Sequence, residues 1–466
     1  MRHRSLLILL CVAQLMVILD ISAVNVALPD MARDLGIGPD DVSWTITSYS
    51  LVFGSLLLLG GRAADLLGRR RMFLSGLTVF TASSLVSALA GGAGVLFAAR
   101  AGLGLGAAML SPAALSIIMV AFRDGDDRAR ALGAWGAVGG AGAAIGVLLG
   151  GTLTELVGWR AIFLINVPIG VALAVAASAV VPADAAPPRW RGLDLRGAVV
   201  ATLSVAALVY ALSEAATAGW TSARTLGIGA AGLAGLAGFA ALELRTARPL
   251  LRVRRLADRA VGGGVLMMLV ASAVMFGMFL LASLSMQRVL GAGPLETGLA
   301  FLPVAVVIAA GAHAGSHVVR RVGVRIPMAG AFALTAAGML LLAGLDAGGS
   351  YAGDLLPGML VAGLGLGVAV VCVAVAVLSG AEEDESGMLS GLNTTGHEIG
   401  GSIGVAVLVT IASAGGGAPA SAAGLGDAYL AAGVLAGAAS LLALVILPSA
   451  RSFLPRLRLT PSIPIH

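Results

Sequence analysis

The chain has 466 residues, of which 58% are hydrophobic and only 11% charged, and its mean hydropathy is +0.99. Soluble domains carry about 25% charged residues, so this composition excludes a water-soluble globular protein. The net charge of +5 rests on arginine alone, with no lysine present, and the arginines fall in short gaps between apolar stretches, which argues against a nucleic-acid surface.

About 20 apolar residues span ~30 Å of hydrocarbon as a helix, and stretches of that kind recur along the whole chain. They lie near 5–28, 43–60, 72–92, 95–120, 131–153, 160–181 and 195–215 in the first half. The second half has them near 225–243, 262–287, 297–319, 326–345, 352–378, 388–412 and 427–447. The basic start MRHRSLLILLCVAQL resembles a signal peptide, but no A-x-A-like site follows and the apolar run continues, so it reads as a retained first helix. The prediction is an all-α polytopic membrane protein with fourteen transmembrane helices and both termini on one side.

The arginines fix the orientation. With the N-terminus cytoplasmic, Arg33, Arg160, Arg224 and Arg288 face outward, Arg100 lies in a span, and the other 24 of the 29 basic residues are inside. The acidic inner loop Glu382, Glu383, Asp384 and Glu385 carries little weight in that rule.

Polar residues inside the spans are the candidate site, because the bilayer penalises them. Helix 1 carries Asp20 in LDISAVNVALP. The loop after helix 2, GGRAADLLGRRR, holds Gly61, Asp65, Gly68, Arg69, Arg70 and Arg71. These residues suit a tight glycine turn, with one carboxylate able to pair with arginines or a helix N-terminus in one conformation and release them in the other. Helix 4 carries Arg100 in AARAGLGLGAAMLSP, either paired with a carboxylate or carbonyl or snorkelling to the outer surface. Helix 5 has Gly142, Gly146 and Gly150 four apart, with Gly151 beside them, a spacing that lets helix backbones approach closely.

Helix 9 is rich in methionine, a core filler or an adaptable surface, and His313 and His317 of helix 10 are assigned no role. Helix 13, LSGLNTTGHEIGGSIGV, is the most polar span. Thr394, Glu398 and Ser402 share one face there, with Asn393 and His397 alongside. Two roles stand open for Glu398, a titrating group or a structural hydrogen bond. No second His or Cys has metal-ligand spacing to His397, so no metal site is expected, and Cys11 and Cys372 read as packing residues. A weak repeat pairs helix 4 with helix 12, through AGLGLGAA from Ala101 and AGLGLGVA from Ala362. It also pairs helix 5 with helix 13, through GAAIGV from Gly142 and GGSIGV from Gly400. Helices 1–6 then match 9–14 and leave helices 7 and 8 as an insertion.

These motifs together resemble the major facilitator superfamily, specifically its fourteen-helix drug:proton antiporter branch. WRAIFLINVPIG from Trp159 also matches that branch. The resemblance implies a six-helix bundle over 1–182, an inserted pair with its linkers over 183–260, a second six-helix bundle over 261–450 and a cytoplasmic tail over 451–466. It implies a cytoplasmic gate at Gly61, Asp65, Gly68, Arg69 and Arg70, and proton coupling at Arg100. It makes Gly142, Gly146, Gly150 and Gly151 an export signature. Three departures stand out: Leu103 where glutamine is common, Val147 in place of a proline, and His397-Glu398 in place of Arg-Gln.

The function expected is proton-coupled export of hydrophobic or cationic small molecules across a bacterial cytoplasmic membrane, with Asp20, Arg100, His397 and Glu398 at the coupling and substrate site. An exporter of an endogenous metabolite or amino acid is the alternative. A non-transporting sensor would need an added soluble domain, and no catalytic motif supports an enzyme. The expected partners are a small-molecule substrate, protons and the lipid bilayer; the chain is taken as a monomer needing no cofactor beyond the proton gradient.

Overall fold

In an apolar medium a backbone must satisfy its own N–H and C=O groups, and long runs of Leu, Ala, Val and Gly do so as helices. The computed structural model describes residues 2–38, 41–42, 44–122, 125–184, 194–246, 249–346, 348–378, 385–414 and 421–458. In chain order the helices are α1 (Arg2–Leu35), α2 (Trp44–Leu67), α3 (Arg69–Ala88), α4 (Ala93–Ala121), α5 (Gly125–Leu156), α6 (Arg160–Leu164) and α7 (Asn166–Val180). Then come α8 (Leu195–Ala218), α9 (Ala223–Glu243), α10 (Arg259–Leu284), α11 (Pro294–Ala300) and α12 (Leu302–Val322). The last are α13 (Arg325–Leu342), α14 (Leu356–Leu378), α15 (Ser386–Ala414), α16 (Ala422–Ile446) and α17 (Ala450–Arg458). No strand occurs among the described residues.

A helix stands at each predicted span, two of them interrupted. Pro168 has no N–H for the Leu164 carbonyl and Pro303 none for that of Leu299, which places the breaks between α6 and α7 and between α11 and α12. Among the described residues, eleven helical runs are long and apolar enough to cross a membrane. At 72–92 the helix α3 falls short of that mark. Serines and threonines dilute α3, while α5 and α8 hold the shorter described apolar stretches Ile145–Leu156 and Arg196–Leu212. The acidic loop residues Glu382, Glu383 and Asp384 lie outside the described residues, as do Arg123, Arg189, Arg191 and Arg248.

The described chain divides into two compact units. The first comprises 1–118, 142–253 and 382–395, and the second 119–141, 254–381 and 396–466, so α4, α5 and α15 contribute to both. Within the first unit α8 and α9 pack as a pair, and α8 lies against α2. Within the second, α14 packs against α10, α12 and α13, and α16 against α10 and α13.

Each unit uses the same glycine contact. In the first, a Cβ on Gly142 or Gly146 of α5 would stand 2.9 Å from Ile18 Cγ2 and 1.8 Å from Ser22 Oγ of α1. In the second, a Cβ on Gly400 or Gly404 of α15 would stand 2.3 Å from the Leu269 carbonyl oxygen and 2.2 Å from that of Ala273, both on α10. The glycines are 258 residues apart and their partners 251, at both contacts, so the helix 5 and 13 match is a structural repeat. The helix 4 and 12 match is displaced. By spelling, Gly104 pairs with Gly365, yet Gly104 abuts Tyr49 of α2 whereas Gly365 abuts Ala331 of α13. The glycines that meet α12, the counterpart of α2, are Gly363 and Gly367, each two residues from Gly365, and two residues turn a helix by about 200°.

Gly404→Val forces α15 off the α10 backbone. It is expected to cost about 1–3 kcal/mol and to lower the melting temperature in detergent. Gly227→Ala on α9, where a Cβ meets nothing within 4 Å, should melt like the parent. Equal melting of the two variants would refute the close approach.

Candidate functional site

Asp20 sits in the middle of α1 and Arg100 in the second turn of α4, and each is 1% exposed. They pair directly through Arg100 Nη1 and Asp20 Oδ2. Helix α2 completes the setting: Arg100 Nε donates to the Thr45 carbonyl at 3.0 Å, and the guanidinium lies 4.6 Å from the Tyr49 ring centroid. Arg100 is therefore held inside by a carboxylate, a carbonyl and an aromatic face, and does not snorkel. A second polar link, Ser111 Oγ to Gln14 Oε1 at 2.8 Å, joins α4 to α1 further along. Asp20 Oδ1 and the hydroxyls of Thr45 and Ser48 are buried with no hydrogen-bond partner among the described residues. The carboxylate therefore has an oxygen to spare for a proton.

The glycine face of α5 passes beside this pair. Gly142, Gly146 and Gly150 would each drive a Cβ into α1, at Ile18, Ser22 and Ala23, and Gly151 makes only ordinary contact with Val26. Val147, where the resemblance calls for proline, leaves α5 continuous from Gly125 to Leu156.

The end of α2 and the start of α3 form a second cluster, in which the expected glycine turn falls at Gly68. Gly61 and Asp65 are helical, and the only break is Gly68, at φ 110°. Gly61 instead permits contact with α15, since a Cβ there would stand 2.2 Å from the Gly387 carbonyl oxygen. Asp65 accepts the amides of Gly387 at 2.9 Å and Met388 at 3.0 Å, capping the N-terminus of α15, and lies 3.3 Å from Arg69 Nη2. Arg69 also donates to Ser116 and Ser386, whose hydroxyls are 2.9 Å apart. The carboxylate thus holds an arginine and a helix N-terminus together. Arg70 reaches the Ser178 carbonyl. The amides of Arg70 and Arg71 donate to Asp184 at 3.0 and 3.1 Å, so a residue beyond α7 caps α3.

In the second unit His397 Nδ1 lies 2.6 Å from Ser272 Oγ of α10, with the Phe276 ring edge-on at 5.2 Å. Glu398 is half-buried, and no hydrogen bond or ion pair engages its carboxylate among the described residues. Thr394 and Ser402 spend their hydroxyls on the Ser390 and Glu398 carbonyls of their own helix. Asp20 and Arg100 belong to one unit, His397 and Glu398 to the other. Sequence reasoning missed Thr45, Tyr49, Ser116, Ser272 and Asp184. Thr45 and Tyr49, four apart on one helical face, were the readable signal; nothing local marks Asp184 as a remote cap.

The sequence profile of the Major Facilitator Superfamily matches residues 10–405. The cephamycin export protein CmcT of Amycolatopsis lactamdurans is 38% identical over 454 residues, covering 96% of this chain and 93% of that protein. The puromycin resistance protein pur8 of Streptomyces alboniger is 37% identical over 410 residues, covering 87% of this chain and 81% of that one. The crystal structure of the human organic anion transporter MFSD10 superposes with a TM-score of 0.67 at 17% identity, over 94% of this chain and 99% of that one, a likeness of fold.

Asp20→Asn or Arg100→Gln alone leaves one buried charge without its partner, at an expected cost of about 3 kcal/mol each. The double variant should lose less than the sum. Melting of the purified proteins in detergent measures this, and strictly additive losses would refute direct pairing.

Proposed function

The chain belongs to the Major Facilitator Superfamily, and on that premise we propose that it is a proton-coupled exporter of antibiotic-like hydrophobic or cationic small molecules. It is a multi-pass membrane transporter and not an enzyme. Near-full-length likeness to an export protein and a resistance protein supports outward transport. The observation that carries the proton half is the Asp20–Arg100 pair, enclosed within the first unit and with Asp20 Oδ1 unused. A proton on Asp20 cancels its charge and frees Arg100; losing that proton restores the pair. Two such states of one site are what alternating access requires.

Glu398, without a counter-charge, serves as the second carboxylate, taking a proton or the positive group of a substrate, with His397 beside it. Asp65 and Arg69 act as the cytoplasmic gate, together with Gly61, Gly68 and Arg70, holding the start of α15 in one state and releasing it in the other. Gly142, Gly146, Gly150 and Gly151 keep α5 close to the helix that carries Asp20. The chain crosses a bacterial cytoplasmic membrane fourteen times with both termini inside, as six helices, an inserted pair and six more. It works as a single chain on the proton gradient alone, without a bound cofactor.

Reconstituted into liposomes, the parent should move ethidium against its gradient when a pH gradient is imposed. Asp20→Asn should reduce this to the rate of empty liposomes, and near-normal pH-driven transport by that variant would remove Asp20 from the mechanism. Glu398→Gln should flatten the dependence of rate on pH. Profiles that superimpose on the parent's would reduce Glu398 to a packing residue.

A further inference from the structure

The inserted pair α8–α9 has a connection to the gate that neither the motifs nor the fold requires. At its inner end Asp194 caps α8, accepting the amides of Arg196 at 3.1 Å and Gly197 at 3.0 Å. Glu243, in the last turn of α9, crosses over Gly197 so closely that a Cβ there would stand 2.2 Å from Oε1. Its other oxygen accepts the amide of Leu251 at 2.9 Å, so the segment leaving α9 is tied back to the pair. Leu250 and Leu251 are buried.

The next residue turns outward from this anchor to α15. The Arg252 amide lies 3.3 Å from Met388 Sδ, and its guanidinium pairs with Glu385, a residue only 1% exposed. Glu385 immediately precedes Ser386, Gly387 and Met388, the residues gripped by Arg69 and Asp65. At one helix start two carboxylates, Asp65 of α2 and Glu385 of the start itself, therefore meet two guanidinium groups, Arg69 of α3 and Arg252 of the linker, all in the same unit. Without Arg252, the enclosed Glu385 carboxylate loses this ion pair at the very turn that Asp65 must cap, and that turn loosens.

We propose that the helix pair α8–α9 positions the start of α15 for the Asp65 clasp through the linker Leu250–Arg252, with Arg252 and Glu385 as positioning residues of the gate. This rests on the reading of Asp65 as part of that gate.

The amides of Gly387 and Met388 report on the clasp without any substrate. Hydrogen exchange on the full chain in detergent should show them exchanging about tenfold faster in Arg252→Gln, the scale of a modest population shift, with α10 and α14 unchanged. The charge-reversed double variant R252E/E385R should restore protection, whereas Arg252→Glu alone should not. In liposomes with ethidium, Arg252→Gln should lower kcat and leave KM near the parent value, because a gate governs exchange between states and not the site. Unchanged exchange at these two amides in Arg252→Gln overturns the proposal, as does failure of the reversed pair to restore it or a change confined to KM. Asp65→Asn, run alongside, separates the two readings. If it speeds the exchange but leaves kcat intact, the gate assignment fails; if it does both and Arg252→Gln does neither, only the linker's role fails.

Discussion

A charge placed inside an apolar bundle cannot be satisfied by its own helix, whose backbone groups are already paired. Asp20 and Arg100 therefore need each other, and the need extends to three helices: α1 supplies the carboxylate, α4 the guanidinium, and α2 the Thr45 carbonyl and the Tyr49 ring. One of these partners, the Thr45 carbonyl, is main chain, and Arg100 reaches it where α2 and α4 lie close together. The 66 glycines of the chain supply that proximity, as where Gly104 of α4 meets the Tyr49 backbone and Gly146 of α5 meets Ser22. Packing and polarity are thus one constraint at this site, since widening any of these contacts would strand a buried charge.

Helix ends obey a related rule. The first four N–H groups of a helix lack partners, and where a helix starts inside the protein they must be found elsewhere. Two of these starts are capped from a distance: α15 by Asp65 of α2, and α3 by Asp184 beyond α7. A remote cap differs from a local one in that it can be let go when helices move. That property suits a carboxylate which also holds an arginine, since the charge it surrenders on one side remains compensated on the other.

The two units repeat a scaffold but not its chemistry. At the offset of 251 that relates α1 to α10, Asp20 falls on Ala271. Gly106, which meets α3, and Gly365, which meets α13, set an offset of 259 between α4 and α14, at which Arg100 falls on Met359. The second unit keeps the close glycine contacts and drops the ion pair, and at the offset of 258 its polar groups, His397 and Glu398, correspond to Gly139 and Gly140 of α5. Backbone proximity survives such divergence because it depends only on absent side chains, whereas an ion pair is lost with either partner.

Hydrophobic spacing alone determined that this is a helical membrane protein and where its helices lie, because hydrocarbon thickness sets span length and a polar backbone has no other solution there. The sequence also exposed Asp20, Arg100, Asp65 and Glu398, since an apolar context makes any charge conspicuous. What it left open was pairing. Whether Arg100 snorkels or turns inward depends on which helix lies opposite, and Asp184 carries no local mark of the helix it caps. The glycine string of α14 matched that of α4 in spelling while presenting the opposite face, because a match of letters does not fix rotation about the helix axis. Residues 80 apart in Asp20 and Arg100, or 322 apart in Asp65 and Gly387, meet only when helices are already packed. That choice of neighbour and of facing side belongs to the tertiary structure, where the competing contacts of whole helices are weighed together.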